Sequence, residues 1–220
     1  MTPAIAAAAL YGTSACLCWY ATERGPILLF RVTKIGTLIA LLGVAVALHA
    51  WHTPEGIALL AALVLCLFGD IALLDSGPRG FLAGLGVFLL AQLVYSCAFV
   101  MIRYHDDRPW WTSIIGLVVA VAVVVPMVLR SLPLACRGAV SHGGVTWGWA
   151  VLAYYAAISM MVLAAGASGR TLLLVGAILF GVSDTVLALN RFHAPRPYAG
   201  LVVLSLYHLA QGAIVIGALS

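Results

Sequence analysis

Two aspartates stand in runs that are otherwise apolar. Asp70 closes Leu63-Val64-Leu65-Cys66-Leu67-Phe68-Gly69, and Asp184 closes Gly176-Ala177-Ile178-Leu179-Phe180-Gly181-Val182-Ser183. Each follows a Leu-Phe-Gly step. A carboxylate at membrane depth costs roughly 2.5–3.5 kcal/mol on insertion scales unless it is paired, protonated or facing water, so acids kept there are functional by default. Two carboxyls that share a dry site do not both ionise easily. One is driven protonated while the other stays charged, which supplies an acid and a base at neutral pH.

Other polar side chains fall in the same kind of segment. Lys34 lies in Arg31-Val32-Thr33-Lys34-Ile35-Gly36, where it either snorkels to headgroups or serves as counter-ion to an aspartate. Gln92 and Tyr95 are three residues apart and share a helix face, and Tyr207 and Gln211 do the same at four. Tyr154, Tyr155, Ser159 and His208 complete the set. Interhelical hydrogen bonding is the plain alternative for each, but together they suggest a polar-lined pocket. No His or Cys sits at metal-ligand spacing from His208, so no metal and no cofactor is expected. The nucleophile elbow, the phosphate-binding loop, the dinucleotide fingerprint and the zinc-protease signature are absent from the sequence.

These residues need elements to carry them. The chain of 220 residues is 64% hydrophobic and 8% charged, a composition that excludes a soluble domain of this size. Its apolar runs are continuous rather than alternating, which predicts spanning helices and not a barrel. About eight spans follow from the criterion of roughly 20 apolar residues each. They cover residues 3–21, 26–48, 54–74, 80–102, 110–129, 144–166, 171–189 and 198–219. The expected fold is therefore all-α, a polytopic transmembrane helix bundle formed by one integral membrane domain over residues 1–220. The start Met1-Thr2-Pro3 lacks a basic leader, so the first run is expected to be a retained helix. Five scattered cysteines without a C-x-x-C predict neither a disulfide framework nor a zinc site.

The net charge of +4 matters less than its placement. Loops after odd-numbered spans hold Arg24, Arg79, Arg130, Arg137, Arg191 and Arg196. Loops after even-numbered spans hold Arg103, Arg108 and Arg170, offset by Glu55, Asp106 and Asp107. The positive-inside rule then puts the first set in the cytoplasm and both termini outside, with Trp110 and Trp111 as outer anchors. Asp70 and Asp184 each precede the cytoplasmic end of a span by about five residues, so at about 1.5 Å per residue they share a depth some 7 Å inside. Lys34 comes to a similar level. No basic tract is long enough to bind nucleic acid. A faint internal echo also appears: Leu67-Phe68-Gly69-Asp70 with a later Ala91-Gln92, and Leu179-Phe180-Gly181 with Asp184 and a later Ala210-Gln211. Such an echo fits a parallel repeat of four spans.

The order of these blocks resembles a known family. Leu67-Phe68-Gly69-Asp70 leads to Phe81-Leu82-Ala83-Gly84-Leu85-Gly86-Val87-Phe88 and Ala91-Gln92-Leu93-Val94-Tyr95. A second block runs from Gly176 through Ser183-Asp184 to Leu187-Ala188, and a third reads Tyr207-His208-Leu209-Ala210-Gln211-Gly212. These are similar to the motifs of the YhhN-like lysoplasmalogenases, eight-span membrane proteins, as are Lys34 and the stretch from Tyr154 to Met161. The chain departs from the family pattern at Gln92, where His is usual, and at Ile35, where Pro is frequent. A glutamine orients an oxygen but shuttles no proton at neutral pH.

The resemblance implies hydrolysis of the vinyl-ether bond of a one-chain glycerophospholipid, the lysophospholipid substrate, within the lipid bilayer; the Arg-rich, Lys-poor, Ala-rich residue usage points to a bacterial plasma membrane. The products are a fatty aldehyde and a glycerophospho-headgroup. It implies Asp70 and Asp184 as catalytic, with Lys34, Gln92, Tyr95, Tyr154, Ser183, Tyr207, His208 and Gln211 as substrate-binding. The reaction needs a positioned acid, a nearby negative charge and a held water, which a carboxyl pair supplies. Two other readings use the same residues. A proton-coupled transporter of a small solute also needs intramembrane Asp and Lys. An intramembrane aspartyl protease needs two membrane aspartates, but resembles G-x-G-D, where this chain has Leu67 in place of the first Gly.

Overall fold

The computed structural model describes residues 2–75 and 77–220. Among them are eight α-helices and no strand: α1 (Pro3–Glu23), α2 (Ile27–Ala47), α3 (Pro54–Ala72), α4 (Pro78–His105), α5 (Trp110–Gly143), α6 (Val145–Ala167), α7 (Thr171–Phe192) and α8 (Ala199–Leu219). All eight are long and apolar enough to cross a membrane. The starts follow local chemistry. Pro3, Pro54 and Pro78 occupy the first helical turn, where a missing N–H costs nothing. Thr53 caps α3 by accepting from Gly56 N at 3.2 Å.

The bundle turns apolar side chains outward and buries a small set of polar ones. Ile114, Val118, Val121, Val125 and Leu129 present exposed apolar side chains along α5, while Lys34, Asp70, Gln92, Ser183, His208 and Gln211 are buried. Lipid solvates the first set, and the second must find partners inside. The protein is an integral membrane protein. One apolar core draws on α2 to α8, with Ala7 and Tyr11 of α1 packed against it. A second, smaller cluster of Phe81, Ala135, Ala139, Val151, Tyr155 and Phe192 sits where α4 to α7 meet.

One boundary differs from expectation. The fifth span was expected to end at residue 129, leaving Arg130 and Arg137 in a loop. Instead α5 continues to Gly143, through Pro126 and Pro133. Each proline removes one backbone hydrogen bond. The helix persists because Ser131, Ala135 and Ala139 bury a stripe in the bundle. Gly144, at φ +76°, then reverses the chain into α6 in a conformation few other residues adopt.

Away from the two aspartates, Arg170 closes the opposite end of the bundle. Its guanidinium donates to the carbonyls of Gly217, Ala218 and Ser220 at 3.2, 2.9 and 3.1 Å, satisfying the C-terminus of α8. It also pairs with Asp106 at 2.7 Å.

Candidate active site

Asp70 sits near the C-terminal end of α3 and is 2% exposed. Lys34 of α2, itself buried, places Nζ 3.1 Å from Asp70 Oδ1 and 3.5 Å from the Asp70 carbonyl. The lysine therefore does not snorkel; it neutralises the buried acid, which is the condition under which a charge is kept in an apolar bundle. Asp70 Oδ2 has no hydrogen-bond partner among the described residues. A Cβ at the preceding Gly69 would stand 2.7 Å from the Phe88 ring of α4, so a larger residue there would displace that ring. The close approach that glycine permits brings Phe88 to the wall beside Asp70.

Asp184, on α7, has a different environment. Its Oδ2 accepts from Gln92 Nε2 of α4 at 3.0 Å and from the Tyr154 hydroxyl of α6. Both donors are neutral, whereas Asp70 has the Lys34 ammonium beside it. The flanking Ser183 donates to the Val203 carbonyl of α8 at 2.9 Å, fixing α7 against α8.

Both acids open on one cavity of about 310 Å³, within the usual range of about 300–1,000 Å³ for small-molecule sites. Lys34, Asp70, Ser183, Asp184 and Tyr207 form its polar floor, and Phe30, Phe81, Phe88, Leu187 and Leu204 its apolar walls. The Tyr207 ring meets Phe88 and Phe180 edge-on, at centroid distances of 5.9 and 5.4 Å. Its hydroxyl has no partner among the described residues. Thr22, Asp75, Asn190, Arg191 and Gly200 lie around the cavity at the ends of α1, α3, α7 and α8, close in sequence to Arg24, Arg79 and Arg196.

The remaining expected residues stand one layer back or elsewhere. Gln92 and Tyr154 touch Asp184 from behind and do not line the main cavity. Tyr95 donates to Gln211 Oε1 at 2.6 Å, a buried link between α4 and α8. The two Ala-Gln blocks thus pair crosswise: Gln92 serves Asp184, and Gln211 serves Tyr95. His208 is not brought to the acids. Its Nδ1 accepts from Trp19 Nε1 of α1 at 3.0 Å, and it lines a separate groove between α1 and α8. One helical position beyond Tyr207 turns it about 100° away, since an α-helix has about 3.6 residues per turn.

Residues around the cavity escaped the sequence reading. Arg191 is expected in a loop, yet it and Asn190 belong to the last turn of α7 and line the cavity, and Arg191 stacks its guanidinium 5.0 Å from the Phe81 ring centroid. The signal available was their position six and seven residues after Asp184, about two helical turns along the same helix.

An ion-paired acid and a second acid held by neutral donors, opening together on a cavity in a spanning bundle, define an intramembrane carboxyl site. The family is shown by comparison with known proteins. A model described as the YhhN family matches residues 29–218, and the chain belongs to that family. It is 33% identical over 159 residues to the lysoplasmalogenase TMEM86B of Sus scrofa, covering 68% of this chain and 58% of that protein. It is 31% identical over 164 residues to the human lysoplasmalogenase TMEM86B, covering 72% and 62%. It is 30% identical over 185 residues to the lysoplasmalogenase TMEM86A of Bos taurus, covering 75% and 66%. The chain thus spans about three fifths of the length of the curated relatives it matches. No solved structure matches it.

Proposed function

We propose that this protein hydrolyses the vinyl-ether bond of lysoplasmalogens, releasing a fatty aldehyde and a glycerophospho-headgroup. The family supports the substrate class, and one observation supports the chemistry: Asp70 and Asp184 line one cavity, and among the described residues only Asp70 has a cation at ion-pair distance. The whole chain acts as a single integral membrane unit. The loops near the cavity are the arginine-rich ones, so the site belongs to the cytoplasmic leaflet of a bacterial plasma membrane, with both termini outside.

In this reading Asp184 is the general acid. Tyr154 and Gln92 both donate to Oδ2, which leaves Oδ1 to carry the proton. That proton passes to the β-carbon of the vinyl ether, giving an oxocarbenium ion. Asp70, paired with Lys34, supplies the negative charge that stabilises it. Water then bonds to the α-carbon and returns one proton to Asp184. The hemiacetal collapses as its C–O bond to glycerol breaks, and its hydroxyl proton moves to the departing oxygen. The same division of roles operates when two carboxyls cleave a glycosidic bond. Tyr207, on the cavity floor beside Asp70, is placed to donate to a substrate oxygen.

Mass spectrometry of purified protein incubated with lysoplasmenylethanolamine tests the proposal. Fatty aldehyde is expected from the wild type and not from Asp70→Asn or Asp184→Asn. Wild-type rates in both variants would overturn it.

A further inference from the structure

The acidic and basic residues that line the main cavity are Lys34, Asp70, Asp75, Asp184 and Arg191. All but one are engaged. Lys34 and Asp70 pair with each other, Asp184 accepts from Gln92 and Tyr154, and Asp75 Oδ1 accepts from Gly77 N at 2.8 Å. Arg191 is the exception: among the described residues no carboxylate stands at ion-pair distance from its guanidinium. It is held instead by the Phe81 ring, 5.0 Å away. A cation–π contact fixes its position without taking any of its N–H donors. Asn190 beside it accepts from Arg196 N at 2.8 Å through Oδ1. With its oxygen so engaged, that amide offers its NH2 as the free group. Both residues line the cavity, and Arg191 is exposed while Asp184 is not, so they form its rim.

We infer that Arg191, with the Asn190 amide, binds the phosphodiester of the lysolipid and so sets its vinyl ether against Asp184. The orienting role rests on the hydrolysis proposed above. Asp184, Leu187 and Arg191 stand at i, i+3 and i+7 on α7, which places them on one face, and all three line the cavity. Seven residues advance the helix by about 10 Å. A long helical side chain leans back toward the N-terminus, here toward Asp184, which closes part of that distance. In the substrate the bond to be cleaved and the phosphorus are joined only through glycerol, a spacing of the same order. The depths agree as well. The last turn of α7 is where the helix leaves the apolar layer, at the level of lipid phosphates, and Asp184 lies two turns further in, where the ether linkage falls. A guanidinium fork meets two oxygens of a phosphodiester at once. Arg191 then decides which vinyl ethers are accepted: one on a bare glycerol fits the floor but has nothing to offer the rim.

The test has two arms. In the first, binding to detergent-purified protein is measured without turnover, using two saturated-ether probes. One is hexadecyl glycerophosphoethanolamine; the other is hexadecylglycerol, the same chain without phosphate. Arg191→Gln is expected to weaken the first by about tenfold or more, as the loss of a charge-assisted pair does, and to change the second by less than about twofold. Arg191→Lys should fall between, because an ammonium keeps the charge but not the fork. Equal loss of both probes, or loss of neither, overturns the assignment. Inorganic phosphate at the probe's concentration is expected to leave the first probe bound; displacement would make this a site for free phosphate and overturn the headgroup role. In the second arm, Arg191→Gln is assayed on lysoplasmenylethanolamine. A rise in KM of about tenfold with a smaller fall in kcat is expected, and a fall in kcat at wild-type KM overturns the orienting role. Should the wild type release no aldehyde, the hydrolysis reading fails with the orienting role, while the binding arm still decides the phosphate site.

Discussion

The ammonium of Lys34 and the carboxylate of Asp70 face each other at 3.1 Å across the α2–α3 contact, with side chains only 7% and 3% exposed. Breaking such a pair leaves an uncompensated buried charge, which costs about 3–5 kcal/mol, whereas replacing both partners by apolar groups is close to neutral. Lys34→Met is therefore expected to unfold at lower temperature than the wild type, and Lys34→Met with Asp70→Leu to regain most of the loss. Both should be inactive. Thermal unfolding in detergent together with aldehyde release checks the pair; equal melting of the single and double variants would contradict it.

Asp184→Asn should keep the fold, because an amide oxygen can still accept from Tyr154 and Gln92. Losing the transferable proton removes general acid catalysis, a factor of about 10²–10⁴. Turnover should fall by that amount while Tm moves little, measured on one preparation by aldehyde release and by melting.

Tyr154→Phe removes one of two donors on Asp184 Oδ2. The remaining Gln92 contact holds the carboxyl less firmly, and the proton is no longer confined to Oδ1. A fall in kcat of about 10- to 100-fold is expected, within the range assigned to acid–base positioning, with KM near the wild-type value. Gln92→Leu should behave in the same direction. Steady-state kinetics with lysoplasmenylethanolamine would show a contrary outcome as a rise in KM at constant kcat.

At the opposite end, Asp106 lies outside the spans. Burial alone would raise its carboxyl, but hydrogen bonds and charge from Arg170 and Arg108 outweigh this and hold it below the ordinary carboxylate range. A folded value below the unfolded one means the contribution is complete above about pH 4, near the reference value, and is lost as pH falls through the folded value. Melting of the wild type should thus drop on acidification below pH ~4 more than that of Asp106→Asn. Parallel curves would assign no role to the pair.

The arginine placement predicts sidedness. A single cysteine at Ala194, in a cysteine-free background, should react with a membrane-impermeant maleimide only in inverted vesicles. A cysteine at Asp107 should react only in intact cells with a permeabilised outer layer. The reverse pattern would place the acids at the outer leaflet.

Much of this arrangement was legible from residue types. Apolar runs locate eight helices because lipid leaves backbone groups no other partner. Lys34, Asp70 and Asp184 stand out because charge in a span is rare. The phase of each helix was not legible. His208 and Tyr207 are equivalent by composition, and only the position of α1 beside α8 decides which one turns toward Trp19. The crosswise pairing of Gln92 and Gln211 was hidden for the same reason: identical Ala-Gln steps meet different neighbours. The continuation of α5 past residue 129 was missed because its proline and arginine content reads as a loop, while the small residues Ser131, Ala135 and Ala139 that seat it in the bundle carry no strong periodic signal.

The α7–α8 pair is pinned unevenly along its length. At one end a Cβ on Gly217 would stand 2.6 Å from the Leu173 backbone nitrogen, and one on Gly176 would lie 2.9 Å from the Ala210 carbonyl. At the other end the same two helices part around the cavity, with Leu187, Asn190 and Arg191 facing Ala199, Val203 and Leu204. Because the chain joins α7 to α8 through residues 193–198 at the cavity end, the tight packing at the far end leaves that short link to bridge the gap beside the site.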